Sequence, residues 1–293
     1  HMLTLTNISP ISPFKELIAY ETLWADRRAS FKWLSELFAN HPGSRPSDFV
    51  QSNNTKDVES VLKRMLFGDA AVINPNLLIN GTFNFPQGLK DAKEPIELLY
   101  YAGLIDLLYT RCVAIVGTRT ASDKGLVTTA EIATKLVNDH FTIVSGLATG
   151  IDTAAHTAAI GAGGKTIAVI GTPLNKVYPK ENSLLQQTIA SEHLLLSQVP
   201  FYRYSQQDYR LNRLFFLERN KTMSALTEAT LIVEAGETSG SLTQATAALY
   251  QKRKVLIWED CFHNKNINWP QRFVAKGARR VSSYEDIKKE LAR

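Results

Sequence analysis

Short runs of apolar and β-branched residues alternate with helical segments along the chain after Tyr100. The runs read CVAIVG, FTIVSG, TIAVIG, HLLLSQ, ATLIVEA and KVLIWED. Strands that alternate with helices in this way are typical of an α/β domain with a mostly parallel sheet covered on both faces. In such sheets ligands bind beyond the carboxyl ends of the strands, so we expect function in the loops that follow the runs.

The residues before this alternation have the spacing of helices. From about Ser12 to Asn40 apolar positions recur with the helical period, and they are Leu17, Leu23, Trp24, Phe31, Leu34 and Phe38. After a turn-rich break, NHPGSRPSD, we expect a second short helix around Val58 to Leu66. We therefore predict a small helical N-terminal region over 3–72 and a larger α/β domain over 73–293.

Composition and charge narrow the classes of function. The 293 residues, 44% of them hydrophobic, are enough for one sizeable domain and a smaller one. No apolar run reaches membrane-spanning length and no signal peptide is recognisable. The cysteines, Cys112 and Cys261, lack paired spacing, which argues against a disulfide framework or a zinc site and favours a cytoplasmic location. The net charge of +5 fits a polyanionic partner and an ordinary basic protein equally well.

The loop after the first run, Gly117-Thr118-Arg119, has features of a phosphate site. Glycine permits a tight turn, and the N-terminus of a following helix offers backbone N–H groups to an anion. Arg119 can add a bidentate contact to phosphate. A surface arginine in a turn explains the same letters, and both interpretations stay open here.

The loop after the second run reads SGLATGID. Gly146 and Gly150 allow the backbone to approach a ligand closely, and we expect Asp152 to be the N-cap of the next helix. Several alanines then predict a helix that packs tightly on the sheet. His156 lies within that helix, where a structural role is favoured over a catalytic one.

The segment GAGGKT, Gly161 to Thr166, does not complete a P-loop. That motif needs a glycine six positions before Lys165, where Ala159 stands. Lys165 also precedes its strand instead of following it. Lys165 and Lys176 remain candidates for single contacts to phosphate.

The segment FLERNKTMSAL is basic and follows several aromatic residues. It carries Arg219, Asn220 and Lys221, and the residues upstream are Phe201, Tyr202, Tyr204, Tyr209, Arg210 and Arg213. Aromatic and basic side chains in alternation suit single-stranded nucleic acid, because bases stack while phosphates are neutralised. A solvated basic helix face beside a partly buried aromatic loop is the alternative.

The loop EAGETSGSLTQA follows the run ATLIVEA. Thr238, Ser239, Gly240 and Ser241 supply hydroxyl and N–H groups at the start of a helix, which again suits a phosphate. Glu234 and Glu237 are the carboxylates near by. No Ser/His/Asp order, metal cluster or carboxylate pair has convincing spacing, so we expect no catalytic residues, metal or cofactor.

Together these segments resemble the DNA-processing protein A (DprA/Smf) family. The resemblance runs through VAIVGTR, IVSGLATGIDTAAH, GGKTIAVIGTPLNKVYPKEN, RNK and VEAGETSGSLTQA, starts faintly at FPQGLKDAKEPIELLYYAG and continues to KGARRVSSYEDI. It covers nearly two thirds of the chain. It implies an extended Rossmann-like domain that binds single-stranded DNA, forms homodimers and delivers DNA to the recombinase RecA in transformation, without enzymatic turnover.

The resemblance also implies a set of DNA-binding residues in the loops and the basic segment. They are Gly117, Thr118, Arg119, Ser145, Gly146, Gly150, Asp152, Lys165, Arg219, Asn220, Lys221, Ser239, Gly240, Ser241 and Leu242. Three departures separate this sequence from the usual pattern. The family's RNR ends in Lys221, the proline–glycine after the last strand is Trp258-Glu259, and the sequence stops at Arg293 without the winged-helix domain that many members carry. We therefore expect the pocket with more support than the role in transformation.

Two functional hypotheses from different classes stay open. One is a DNA-binding mediator of DNA processing or recombinase loading, and a divergent relative can serve as a partner protein in a defence system. The other is a nucleotide-binding sensor or hydrolase of the same fold. The fold is similar to that of lysine-decarboxylase-like phosphoribohydrolases, in which a catalytic glutamate follows the glycine-rich loop. The helix after Gly240 has no glutamate, which counts against the hydrolase.

Overall fold

A nine-stranded sheet forms the centre of the computed structural model, which describes residues 11–67, 75–82 and 84–293. The strands are β1 (Asn76–Ile79), β2 (Leu98–Gly103), β3 (Cys112–Val116), β4 (Thr142–Ser145), β5 (Thr166–Ile170), β6 (Leu194–Ser197), β7 (Ala229–Ile232), β8 (Lys254–Trp258) and β9 (Arg279–Val281). They lie in the order β1-β2-β6-β5-β4-β3-β7-β8-β9. The β1–β2 and β2–β6 pairs are antiparallel and the others parallel, which confirms the predicted mostly parallel sheet.

Helices surround this sheet. They are α1 (Pro13–Trp24), α2 (Phe31–Ala39), α3 (Lys56–Phe67), α4 (Asp123–Asn138), α5 (Ile151–Gly161), α6 (Ser183–Glu192), α7 (Phe201–Gln206), α8 (Tyr209–Asn212), α9 (Phe215–Ala225), α10 (Ser241–Tyr250), α11 (Trp269–Ala275) and α12 (Tyr284–Leu291). Short 3₁₀ segments lie at Pro46–Phe49, Ser52–Asn54, Gln87–Leu89, Ile105–Tyr109, Lys180–Asn182 and Glu259–His263.

Both faces of the sheet are covered, as the apolar runs predict. Along β3, Val113 and Ile115 belong to one apolar core, and Cys112, Ala114 and Val116 belong to the other. Successive side chains of a strand point to opposite faces, so a strand buried on both faces reads as a continuous apolar run. This is why all six runs identified in the sequence are strands.

The predicted helical stretch from Ser12 to Asn40 is two helices, not one. The chain leaves the helical conformation after Trp24 and re-enters it at Phe31. Ser30 is extended and accepts a hydrogen bond from Trp33 N at 3.0 Å, which caps α2. The Asp26 carboxylate accepts the backbone N–H of Arg28 at 2.8 Å, a local contact that competes with helix continuation.

The N-terminal helices pack into the same core as one face of the sheet. Leu17, Trp24 and Leu34 belong to a single cluster with residues of β2, β5 and β6. The predicted boundary between the regions 3–72 and 73–293 lies outside the described residues, so the division stays a prediction. The shared core nevertheless ties α1 and α2 closely to the sheet.

A buried carboxylate strengthens this contact. Glu21 of α1 accepts the Tyr100 hydroxyl at 2.7 Å and the backbone N–H groups of Phe201 and Tyr202 at 2.9 and 3.1 Å. Burial raises the pKa of the Glu21 carboxyl to about 7. The start of α7 is therefore closed by a carboxylate from the N-terminal helices.

The strand order places a crevice between β3 and β7. From β3 the chain continues through β4, β5 and β6 on one side, and it resumes with β7, β8 and β9 on the other. The loops after β3 and β7 therefore diverge at the carboxyl end of the sheet, which is where open α/β sheets bind ligands. In the part of the chain that the structure describes, no helix is long and apolar enough to cross a membrane.

Candidate nucleic-acid interface

A cleft of about 890 Å³ opens at the carboxyl ends of β3 and β7. Its walls are the β3–α4 loop, the β7–α10 loop, and α9 with the residues just before it. Residues predicted from the sequence line much of it, namely Gly117, Thr118, Arg119, Asp152, Arg219, Asn220, Ser239, Gly240 and Ser241. The fold therefore brings together side chains from four separate segments.

The glycines of the second loop let neighbouring loops approach each other. A Cβ on Gly150, whose φ is +82°, would lie 2.4 Å from the Thr118 carbonyl oxygen. A Cβ on Gly146 would lie 2.6 Å from Nη1 of Arg219. The Ser145 hydroxyl donates to the Ile115 carbonyl at 2.6 Å. These three residues lie behind the cleft and hold its loops together.

Arg219 is a buried part of this support. Only 3% of the residue is exposed, and its guanidinium donates to the carbonyl oxygens of Gly146 and Val169 at 2.6 and 2.8 Å. Burial lowers the pKa of Arg219 to about 10, an effect that the nearby Asp152 carboxylate opposes. Arg219 therefore fixes the relative positions of the second and third loops.

Asp152 does not cap α5, so that prediction is wrong. The N-cap is Gly150, and Asp152 is the second residue of the helix. The Asp152 carboxylate turns back to accept the Gly146 N–H at 3.1 Å, and it lies beside Arg219. Burial raises its pKa, while the Arg219 charge lowers it. The buried arginine explains the orientation, because it offers the carboxylate a compensating charge.

Helix starts at this edge of the sheet differ in what occupies them. Glu234 accepts the backbone N–H and the hydroxyl of Ser122 at 3.0 and 2.6 Å, so a carboxylate already fills the start of α4. Glu237 similarly accepts the N–H groups of Asn268 and Trp269 before α11 at 3.0 and 3.3 Å. The sequence-based expectation of a free helix start after Gly117-Thr118-Arg119 is therefore wrong.

The start of α10 is different. Its N-cap is Gly240, and the Ser241 N–H donates to the Ser239 hydroxyl oxygen at 3.2 Å. Among the described residues, no carboxylate accepts a hydrogen bond from its first turn. A helix N-terminus carries a partial positive charge that favours anions. This helix start lines the cleft and is suited to a phosphate.

Cations and aromatic rings meet on the opposite wall. The Arg119 guanidinium carbon lies 5.4 Å from the Phe216 ring centroid, and the Tyr178 ring lies 5.5 Å from it. Tyr178 and Tyr209 are 51% and 74% exposed. Arg119 and Arg213 are exposed and have no ion-pair partner within the described ranges. Phe216 was missed in the sequence, although it lies three residues before Arg219 and hence on the same helix face.

The remaining predicted residues do not line the cleft. Lys165 precedes β5 at the amino end of the sheet, where its Nζ donates to the Glu192 carbonyl at 3.3 Å. Lys221 lies outside the cleft and pairs with Glu218 at 3.1 Å and Glu94 at 3.6 Å. Leu242 is half-buried against the core.

The aromatic residues upstream of Arg219 divide in two. Phe201 is buried, and Tyr202 and Tyr204 pack against the core that contains the N-terminal helices. Tyr209 reaches the cleft. The interpretation as a partly buried aromatic loop therefore describes the first three, and the base-stacking interpretation is compatible only with Tyr209.

Titratable groups near the cleft are engaged in structural contacts. His156 is buried, its Nδ1 lies 2.7 Å from the Thr166 hydroxyl, and burial lowers its pKa to about 3. Glu237 forms an ion pair with Arg272. Across the described ranges, no group of three or more His, Cys, Asp or Glu side chains is placed to hold a metal ion. The arrangement is suited to binding an anion that carries planar rings.

Comparison with known proteins agrees with this geometry. The model of the family described as DNA recombination-mediator protein A matches residues 76–292. The chain is 37% identical over 207 residues to the DNA processing protein DprA of Streptococcus pneumoniae, a match that covers 71% of each. It is 39% identical over 179 residues to the protein Smf of Synechocystis, covering 60% of this chain and 44% of that protein.

Two solved structures share the fold. The crystal structure of DNA processing protein A from Streptococcus pneumoniae superposes with a TM-score of 0.76 at 27% identity and covers 97% of this chain and 99% of that one. The protein of the same name from Helicobacter pylori, whose structure concerns its binding mode for single-stranded DNA, gives a TM-score of 0.63 at 26% identity. The second match covers 75% of this chain and 96% of that one.

Proposed function

The chain belongs to the DNA recombination-mediator protein A family, and we propose that its β3–β7 cleft binds single-stranded DNA as part of DNA processing in recombination. The observation that carries the proposal is the stacking of Arg119 on Phe216 opposite the carboxylate-free start of α10. A strand presents phosphates and unpaired bases together, and this cleft offers groups for both. The binding of single-stranded DNA by the Helicobacter pylori relative supports the proposal.

The cleft residues have different roles in this proposal. Arg119, Arg213 and the backbone of 239–241 neutralise phosphates, and Tyr178, Tyr209 and Phe216 stack against bases. Gly117 and Thr118 form the floor of the cleft after β3. Asn220 donates to the Gly240 carbonyl at 3.1 Å and so positions the start of α10. Ser145, Gly146, Gly150, Asp152 and Arg219 support the loops.

We propose no catalytic turnover for this cleft. Glu234 and Glu237 are the carboxylates of the β7–α10 loop, and both already accept backbone hydrogen bonds. Release of DNA to RecA, homodimer formation and a cytoplasmic location are finer proposals that rest on family membership. Co-sedimentation with RecA and light scattering of the purified protein test the first two.

Fluorescence anisotropy with matched oligonucleotides tests the main proposal. We expect a single strand to bind more tightly than the corresponding duplex, because stacking on Tyr178, Tyr209 and Phe216 needs unpaired bases. The logarithm of affinity should fall linearly with the logarithm of salt concentration, by about 0.7 per phosphate neutralised.

Equal or tighter binding of the duplex would contradict this proposal. A panel of nucleoside monophosphates belongs in the same titration. Tighter binding of a monophosphate than of the strand, with release of free base, would favour the nucleotide site instead.

A further inference from the structure

A second cavity, of about 320 Å³, lies beside α9 and is lined by none of the cleft residues. Helix α9 contributes Glu218, Lys221 and Thr222 to this cavity, whereas its Phe216 and Arg219 line the cleft. The other walls are residues 89–96, Gln198 and α10. The volume is at the lower end of the range for small-molecule sites.

Apolar side chains form most of the surface of this cavity. Leu89, Ile96, Ala225 and Ala247 contribute aliphatic walls, and Tyr250 supplies an aromatic ring that is 61% exposed. Apolar walls with a few convergent polar groups are typical of sites for small organic molecules. An exposed aromatic ring at such a site is suited to stacking on a planar ligand.

Two glutamine oxygens in this cavity have no hydrogen-bond partner among the described residues. Gln198 is only 1% exposed, and its Oε1 is unpartnered. Gln251 is 8% exposed, and its Oε1 is also unpartnered. The Gln251 amide nitrogen donates to the Gly88 carbonyl at 3.0 Å and to Asp91 Oδ1 at 2.8 Å, so its amide orientation is fixed. A buried acceptor without a partner costs about 1–3 kcal/mol, which an N–H donor from a ligand would recover.

The charges at this cavity favour an uncharged ligand. Lys221 is paired with both Glu218 and Glu94, at 3.1 and 3.6 Å. Its charge is therefore already compensated and offers little to a phosphate. The unsatisfied groups are acceptors, so the ligand needs donors and not negative charge.

We propose that this cavity binds a free nucleoside, an uncharged planar heterocycle that donates N–H groups to Gln198 and Gln251 and stacks on Tyr250. Amino groups and ring N–H groups of nucleobases are donors that amide oxygens accept. The two acceptors recognise the base, and the apolar walls exclude water from it.

Isothermal titration calorimetry of the full chain with adenosine and purine riboside tests this assignment. The two differ by the exocyclic amino group, so adenosine should bind about tenfold more tightly, the value of one hydrogen bond of about 1.4 kcal/mol. Equal affinity of the two nucleosides, or no saturable binding of either, would overturn the proposal.

The variant Gln198→Met removes one acceptor while keeping an unbranched side chain of similar length. Adenosine affinity should fall about tenfold, and the thermal stability of the unliganded protein should stay the same or rise. The exposed Gln187→Met is the matched control and should change neither. A Gln198→Met protein that loses stability but keeps adenosine affinity would show that Gln198 is structural.

Ala247→Leu fills the cavity from α10 and gives a second variant should Gln198→Met fail to fold. It should abolish adenosine binding, and retained binding would place the ligand elsewhere. If an oligonucleotide responds to Gln198→Met while adenosine does not bind, the base belongs to a bound strand and the assignment to a free nucleoside is wrong. Arg119→Ala alters only the cleft, so unchanged adenosine affinity in that variant separates this site from the proposed DNA site.

Discussion

The starts of α7 and α10 lie at the same edge of the sheet but are occupied differently. At α7, the Glu21 carboxylate accepts two backbone N–H groups and a tyrosine hydroxyl in a fully buried site. At α10, a serine hydroxyl is the side chain that accepts from the first turn, and the helix start lines an open cleft. Both helices follow strands of the same parallel sheet, so the fold alone does not distinguish them.

The difference shows how availability, not residue type, marks a binding site. A helix start attracts negative charge wherever it occurs. At α7, α4 and α11 the protein supplies that charge through Glu21, Glu234 and Glu237. At α10 it does not, and the exposed Arg119 and Arg213 line the same cleft without acidic partners in the described structure. The positive groups of the cleft are therefore left for a ligand.

The largest expected effect comes from Arg219→Ala, which tests whether the cleft depends on a buried cation. The substitution leaves the Gly146 and Val169 carbonyls without their donor and Asp152 buried without its compensating charge. We expect the free energy of unfolding to fall by about 3–5 kcal/mol in urea titrations. Arg279→Ala, at a side chain that is 69% exposed, is the control and should change it by less than about 0.5 kcal/mol. Similar stabilities of the two variants would mean that Arg219 does not support the loops.

Arg219 also shows where sequence reasoning reaches its limit. The motif places Arg219, Asn220 and Lys221 in one basic segment, and the pattern cannot reveal which of them is buried. Lys221 is neutralised by Glu94, which is distant in sequence, and Arg219 is enclosed by loops after other strands. Long-range partners of this kind are set by the fold and are invisible in a local motif.

The architecture was more accessible than the partners. All six apolar runs are strands, because burial on both faces imposes a continuous apolar sequence. The strands β1, β2 and β9 were not identified, and β9 consists of three residues with two exposed arginines. Lys165 could be excluded from the cleft in principle, since a residue before a parallel strand lies at its amino end. Phe216 was missed because nothing in the local pattern shows that two arginines pack on its ring.

The closed site at α7 predicts a pH dependence of stability. The pKa of Glu21 is about 7 in the folded protein, against an ordinary value of 4.5. Between about pH 4.5 and 7 the folded protein keeps a proton that the unfolded chain releases, so stability falls as pH rises through this window and then levels off. The contribution is on the order of 3 kcal/mol.

Glu21→Gln removes this titration. Urea unfolding at several pH values between 4.5 and 8 should show the stability difference, wild type minus variant, decreasing towards high pH. Groups common to both proteins cancel in that difference. Parallel curves would indicate that Glu21 has an ordinary pKa and that α7 is not closed by a strained carboxylate.

The open site is tested by Arg119→Ala, for which the expected effect is on binding and not on stability. Loss of one charge-assisted contact to phosphate should weaken binding of a single strand by about 1–3 kcal/mol. The salt dependence should become shallower by about 0.7, the contribution of one phosphate. Arg279→Ala carries the same change of net charge outside the cleft and serves as the control. An unchanged affinity and slope in Arg119→Ala would place the strand elsewhere.

The smallest expected effect comes from giving α10 the carboxylate that α7 already has. In Ser239→Glu the new charge lies beside the Ser241 N–H, in the position proposed for a phosphate. Repulsion between the two anions should weaken strand binding by about 1 kcal/mol, roughly fivefold, and the effect should shrink as salt rises. The folded state should gain about 0.3–1 kcal/mol from the helix dipole. Ser239→Gln has the same size without the charge, so anisotropy titrations that give equal affinities for the two variants would show that no phosphate lies at the start of α10.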